Sequence, residues 1–223
     1  MERCIMDINL VNNRIWLEGK VVDEPKFSHE MFGEGFYNFD IEVMRLSDSK
    51  DVLSVTISER IMVGIDFSIG TEIMLEGQLR SYNKIVDGKN KLILTVFARN
   101  VTPCTERSKN PNEIYLDGYI CKQPLYRTTP FGREIADVLL AVNRAYNKSD
   151  YIPTIAWGRN SRFCKNLQVG DNIRVWGRLQ SREYQKKISE TEKVTKVAYE
   201  VSVSKMEKVD KDNRVVDSSE DVG

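Results

Sequence analysis

The chain is written twice. NRIWLEGKVVDEP at 13–25 returns as NEIYLDGYICKQP at 112–124, so that Asn13, Ile15, Leu17, Gly19 and Pro25 are matched by Asn112, Ile114, Leu116, Gly118 and Pro124. GTEIMLEGQLRS at 70–81 returns as GDNIRVWGRLQS at 170–181, matching Gly70, Ile73, Gly77, Leu79 and Ser81 with Gly170, Ile173, Gly177, Leu179 and Ser181. The spacing grows from 99 to 100, so one residue was inserted between the blocks. A period this long is the size of a domain, not of a solenoid repeat, and 223 residues give room for two ordinary domains. The expected division is a first unit at 8–107, a second at 111–207, and a tail at 208–223. The joining segment, TPCTERSKNP at 102–111, is polar, short and holds two prolines, which predicts a restricted range of mutual orientations. The tail lacks periodicity and bulky aromatics, and is read as disordered and mildly acidic.

Each unit reads as short alternating strands with one brief helix. In the second unit Ile114 and Leu116 mark a first strand, with a bend or bulge at Gly118. Val138, Leu140 and Val142 mark a second, and Tyr151 to Trp157 a third, with Ile152, Thr154 and Ala156 on one face and Tyr151, Ile155 and Trp157 on the other. SRFCKNL at 161–167 has Phe163 and Leu167 one helical turn apart, as in a short helix that plugs a barrel. A fourth strand starts at Ile173 and a fifth covers Val197 to Val203. The first unit repeats the plan, with Ile61 and Ile65 in the helix position and a hairpin turn at Asp87-Gly88. Five strands with a helix between the third and fourth is the pattern of an oligonucleotide-binding barrel, the OB-fold. The fold class expected is therefore all-β, as two tandem five-stranded OB-fold barrels.

The fourth strand of the second unit carries the most informative surface. Ile173, Val175, Gly177, Leu179 and Ser181 alternate with Arg174, Trp176, Arg178, Gln180, Arg182, Tyr184 and Lys186. One face can enter a core while the other presents cations interleaved with rings, the combination that holds phosphates and lets bases stack. The alternative is a half-buried strand whose arginines only solubilise it. Tyr146, Tyr151 and Trp157 add further candidate platforms, with core or barrel-rim packing as the alternative for each, and Arg144 and Arg159 add cations beside them. At the corresponding strand the first unit presents Glu72, Glu76, Gln78 and Tyr82, and carboxylates there repel phosphates. Overall net charge is zero, yet residues 13–107 hold 12 cations against 15 anions, while residues 112–207 hold 16 against 11. The second unit is thus the expected seat of affinity for a polyanion. Phe32, Phe36, Tyr37 and Phe39 surround GEG at 33–35 in the first unit and are read as core and hairpin residues, or else as a displaced stacking set.

Other chemistries find little support. Cys4, Cys104, Cys121 and Cys164 are widely spaced, with no CxxC pair, and fit small reduced side chains in a cytosol. The single histidine, His29, sits in a loop-like stretch, and no Gly-rich phosphate loop or Cys/His metal spacing is present. No catalytic residue, metal or cofactor is expected, scattered carboxylates such as Glu59 and Asp66 fitting solvated loops. No apolar run reaches membrane-spanning length and MERCIMDINL lacks the long apolar segment of a secretory signal, so a cytoplasmic, nucleoid-associated protein is expected.

NEIYLDG at 112–118, LLAVNRAY at 139–146, IPTIAWG at 152–158 and GDNIRVWGRLQSREY at 170–184 together make the second unit resemble the bacterial single-stranded DNA-binding protein family over nearly its whole length. The first unit resembles a diverged copy, through NRIWLEG and GTEIMLEGQLRS. The resemblance implies a sequence-tolerant binder that protects single-stranded DNA in replication, recombination or repair. By position it selects Tyr146, Tyr151, Trp157 and Tyr184 as stacking platforms. It also implies four barrels per assembly, which a two-barrel chain reaches as a homodimer, with outward Trp16 and Tyr115 as candidate contacts. Where the family has a long Gly/Pro/Gln-rich linker the linker here is short, and the acidic tip DSSEDVG ends in Val222-Gly223 instead of a bulky apolar residue, which leaves tail-mediated recruitment of repair proteins without its usual motif. A second reading is a primosomal assembly factor on the same barrel, whose acidic first unit docks a helicase or polymerase. Nothing in the sequence identifies a reader of the RNA 2′-hydroxyl.

Overall fold

The computed structural model describes residues 12–47, 49–86, 88–106, 108–187, 193–209 and 215–217. The first unit contains β1 (Asn13–Val21), β2 (Lys26–Met31), β3 (Glu34–Met44), β4 (Lys50–Ser58), the one-turn helix α1 (Glu59–Met62), β5 (Glu72–Val86) and β6 (Lys89–Pro103). The second contains β7 (Asn112–Thr128), β8 (Glu134–Arg144), β9 (Lys148–Trp157), α2 (Arg159–Phe163), a 3₁₀ turn at Cys164–Asn166, β10 (Asn172–Lys187) and β11 (Lys193–Val209).

Each unit closes by the same ring of pairings. β1 runs antiparallel to β5 and then to β3, β3 to β4 and β5 to β6, and a short parallel contact of Val55 and Thr56 with Val96 and Phe97 shuts the barrel. In the second unit β7 meets β10 and β8, β8 meets β9, β10 meets β11, and Val201 and Ser202 close on Thr154 and Ile155. These are two tandem OB-fold barrels. The alternation read from the sequence fills them: Ile114, Leu116, Val138, Leu140, Val142, Ile152, Ala156, Ile173, Val175 and Leu179 are all buried. Burying each large aliphatic side chain contributes about 1.5–3 kcal/mol.

Three expectations are corrected, on Gly118, the helix limits and the tail. β7 passes Gly118 without a break, the glycine serving a close approach in which a Cβ would lie 2.8 Å from the Ala141 carbonyl oxygen; the irregularities fall between Ile120 and Lys122 and between Lys122 and Leu125. The helix of the second unit starts at Arg159, two residues ahead of the expected stretch, and ends at Phe163, so fully buried Leu167 plugs the core from beyond a 3₁₀ turn. Ile155 shares a strand face with Tyr151 and Trp157 but is buried. The tail expected over 208–223 is not structureless throughout, since β11 reaches Val209 and Val215–Asp217 pairs with it as β12. Asp87 of the expected hairpin turn lies outside the described residues, as do residues 218–223 of the acidic tip and Cys4.

The units are joined through their first strands. Asn13 to Leu17 of β1 pair antiparallel with Leu116 to Asn112 of β7, and Ile15 faces Ile114, its own counterpart in the repeat. A local two-fold axis therefore passes through that pair. The linker is tied down as well: Pro111 O accepts from Glu18 N at 2.8 Å, and Ser108 N donates to the Glu18 carboxylate at 2.7 Å.

Candidate nucleic-acid interface

Two buried aspartates, related by the local axis, set the geometry of the junction. Asp51 receives the Arg45 Nε and Nη2 groups at 2.7 and 2.6 Å, and from the other unit the Ser181 N–H at 2.7 Å and Ser181 Oγ at 3.0 Å. Asp150 receives Arg80 Nη1 at 2.9 Å and Ser81 N at 2.7 Å from the first unit, and Arg144 Nη1 at 3.3 Å from its own. Ser81 Oγ in turn accepts from Tyr151 N at 2.7 Å. The Arg45 guanidinium is held above its ordinary pKa, chiefly by its hydrogen bond to Asp51. Burial lowers that of Arg80 despite Asp150, and Arg144 and Arg99 nearby push the same way.

Beside the Asp150 junction rises the hairpin of β8 and β9. Its loop carries Tyr146 and Asn147 at φ of 60° and 53°, a left-handed backbone that bulky residues rarely adopt. The Tyr146 ring is 94% exposed and packs on nothing that would stabilise the fold. On β9, Tyr151 and Trp157 are 47% and 38% exposed, and on the far half of β10 Tyr184 is 36% exposed. All four rings selected from the sequence are accessible to a planar ligand.

The alternating row of β10 divides into two parts. Trp176 is half-buried, with its ring 5.2 Å from that of Tyr115 and the Lys205 ammonium 5.0 Å from its centroid. Arg174 Nε donates to Asp117 at 3.1 Å. Arg178 lines a cleft of about 420 Å³ together with Arg45, Leu46 and Ser202, and its buried Nε has no hydrogen-bond partner among the described residues. Gln180 is buried against Glu200 at 2.9 Å, and Arg182 Nε lies 3.5 Å from the same carboxylate. Arg159 is exposed and makes no ion pair among the described residues. Lys186 belongs to β10, but its side chain lies outside the described residues. Arg182 is exposed but the Glu200 carboxylate it meets is buried, so the pair is anchored on one side and open to solvent on the other.

In the first unit, Val52 and Ser58 stand where Tyr151 and Trp157 stand in the second; Val52 is exposed, and buried Ser58 caps α1 through Arg60 N. Phe36 and Phe39 are buried, Tyr37 is partly buried, and Phe32 is fully exposed at the β2–β3 turn with φ of 53°. Sequence reasoning missed Arg80, Arg99, Asp51 and Asp150. The repeated Ser81/Ser181 and the 99-residue spacing of the two aspartates were the available signals.

Comparison with known proteins adds the remaining observations. Residues 111–208 match the model of the single-strand binding protein family. Single-stranded DNA-binding protein 1 of Staphylococcus aureus is 38% identical over 81 residues, covering 33% of this chain. The chain spans about half the length of that relative, 48% of it. The single-stranded DNA-binding protein of Thermus thermophilus is 24% identical over 195 residues, covering 75% of this chain and 74% of its own. The crystal structure of the wild-type single-stranded DNA binding protein from Thermus aquaticus superimposes with a TM-score of 0.70 at 20% identity, covering 93% of this chain and 98% of that one, a likeness of fold.

Proposed function

We propose, from the match of residues 111–208 to the model of the single-strand binding protein family, that the chain binds single-stranded DNA without strong sequence preference. The observation that carries this reading is the set of three accessible rings on one hairpin, Tyr146, Tyr151 and Trp157, with exposed Tyr184 on the projecting half of β10 and Arg159 exposed to meet a phosphate. Bases stack on the rings, and arginines neutralise the backbone. Tyr146 supports the reading most directly, because an almost fully exposed ring on a left-handed backbone contributes nothing to packing. Arg144, Arg174, Arg178, Arg182 and Lys186 are the further proposed phosphate contacts, and Trp176 a further platform. The second unit, 111–207, carries most of the affinity in this reading, and the first unit, 8–107, is the diverged partner. No step of catalysis is invoked.

Titration with poly-dT, followed by tryptophan quenching, tests the proposal. Affinity should fall steeply with salt as counterions are released. Trp157→Ala and Tyr184→Ala should each weaken binding by about 1–3 kcal/mol, the contribution of one stacked base. Unchanged affinity in both variants would sink the site.

Two chains together would bring four barrels, and we propose a homodimer that uses the outer face of the β1–β7 sheet, where Trp16 and Tyr115 are half-buried. Sedimentation equilibrium should return twice the chain mass; a monomer at all concentrations would overturn it.

A further inference from the structure

We infer, building on the proposal that the chain binds single-stranded DNA, that the strand leaves the second barrel across one of the two junctions only, the one built by Arg80, Arg99 and Arg144, and continues over an aromatic lane on the first barrel. The two junctions are related by the local axis but are not equal in charge. At the first, Arg80 and Arg144 share the single carboxylate of Asp150, and Arg99 is linked to Arg80 through Gln78, which accepts from Arg99 Nη2 at 3.2 Å and from Arg80. At the second, the place of Arg80 is taken by Gln180, and the residue opposite is Glu200 instead of Thr95. There Asp51 and Glu200 stand against Arg45, Arg178 and Arg182, which leaves less unbalanced positive charge for a phosphate to meet.

Backbone geometry explains why Arg99 is available. The register of β5 on β6 slips between Glu76 and Gly77, whose partners are Asn100 and Ala98, so Arg99 is the extra residue of a bulge. Bulges re-aim side chains. Arg99 is exposed, meets no carboxylate among the described residues, and holds its guanidinium 5.5 Å from the centroid of Phe97. The corresponding bulge in the second unit holds Ser204, whose hydroxyl donates to Trp176 O.

From Phe97 the rings continue outward. Phe97 lies 5.8 Å from Phe36, which is buried and backs exposed His29, stacked on it at 5.0 Å and 11° between planes, so half-buried Phe97 and His29 are the rings a base can reach. The second unit has no such lane: Ser202 stands in the place of Phe97, opposite Arg178 as Phe97 is opposite Gln78, and Ile135 in that of Phe36. The lane begins where the second unit's platforms end, because Asp150 precedes Tyr151 and both are bonded to Ser81. A row of guanidinium groups leading to flat rings fits a phosphodiester chain with unpaired bases.

The test uses the full chain and poly-dT. Arg99→Ala should lower the slope of log affinity against log salt by about 0.7, one single-strand phosphate contact, and shorten the length of DNA occluded per chain. Lys50→Ala, which removes an exposed cation paired with Glu42 in the same unit, should change neither. Photocrosslinking with 5-iododeoxyuridine oligonucleotides should label peptides holding His29 or Phe97 as well as the β8–β9 hairpin. Equal salt slopes for Arg99→Ala and Lys50→Ala, or crosslinks confined to the second unit, would overturn the lane and leave DNA binding by the second unit standing. No binding of poly-dT by the unaltered chain would overturn both.

Discussion

Asp51 and Asp150 have no exposed surface, yet each carboxyl group bonds across the boundary between the units. A buried carboxylate survives only when its oxygens are filled, and here a guanidinium and a serine N–H fill them. Asp150→Ala would strand Arg80, itself largely buried, and should cost about 3–5 kcal/mol in urea unfolding. Asp150→Asn keeps an acceptor for Ser81 N and should cost less. Cys164 illustrates burial acting on a neutral group: its thiol is pushed up to about 12 by desolvation. Iodoacetamide at pH 8 should leave Cys164 unlabelled in the folded chain and label it in urea, as read by peptide mass. The exposed rings of the second unit were legible in the sequence, because alternation alone places Tyr151, Trp157 and Tyr184 away from the core positions. The partners of the arginines were not legible. Whether Arg174 meets Asp117 or Arg80 meets Asp150 depends on which strands become neighbours across 57 and 70 residues of sequence.

Among the elements, β10 shows how one strand serves two surroundings. Gly177 stands where a Cβ would come within 2.2 Å of the Ser202 carbonyl oxygen, so the strand closes the barrel there only without a side chain. Gly177→Ala forces the backbones apart and should destabilise the chain by about 1–3 kcal/mol, measured as a lowered urea midpoint with an unchanged m-value. The repeat of Gly77 and Gly177 marked this position in the sequence, although not its cause. Strands were legible because core alternation spans β8, β9 and β10. The helices were legible in their place between the third and fourth strands but not in their limits, since α1 and α2 are one-turn pieces bounded by the flanking strands and not by helical periodicity. The unlike roles within the outward row of β10 were also hidden. Trp176 lies in the sheet shared by the units and Tyr184 on the projecting half, a difference produced by β7 ending its contact at Gly177.

At the scale of the molecule, the buried residues of both barrels form one continuous cluster, and β1 and β7 share a ladder of backbone hydrogen bonds. The units should therefore unfold together. Variants that keep only Trp16, in the first unit, or only Trp157, in the second, should report the same urea midpoint; separated midpoints would show two independent folding units. The duplication was plain in the sequence, but the contact between its copies was not, because the residues that make it are the same ones that build each barrel. A net charge of zero was equally uninformative, since it averages an acidic unit with a basic one.

The pairing of Ile15 with Ile114 has one more consequence. Two identical subunits meeting about such an axis cannot tell a thread from the same thread reversed, because rotating the pair exchanges its ends. Here the halves are unlike, and the covalent join prevents either from being replaced by a copy of the other. On the proposed reading, the 5′ and 3′ ends of a bound strand would thus meet different surroundings, and the join of two unlike halves would give the protein a heading along that strand.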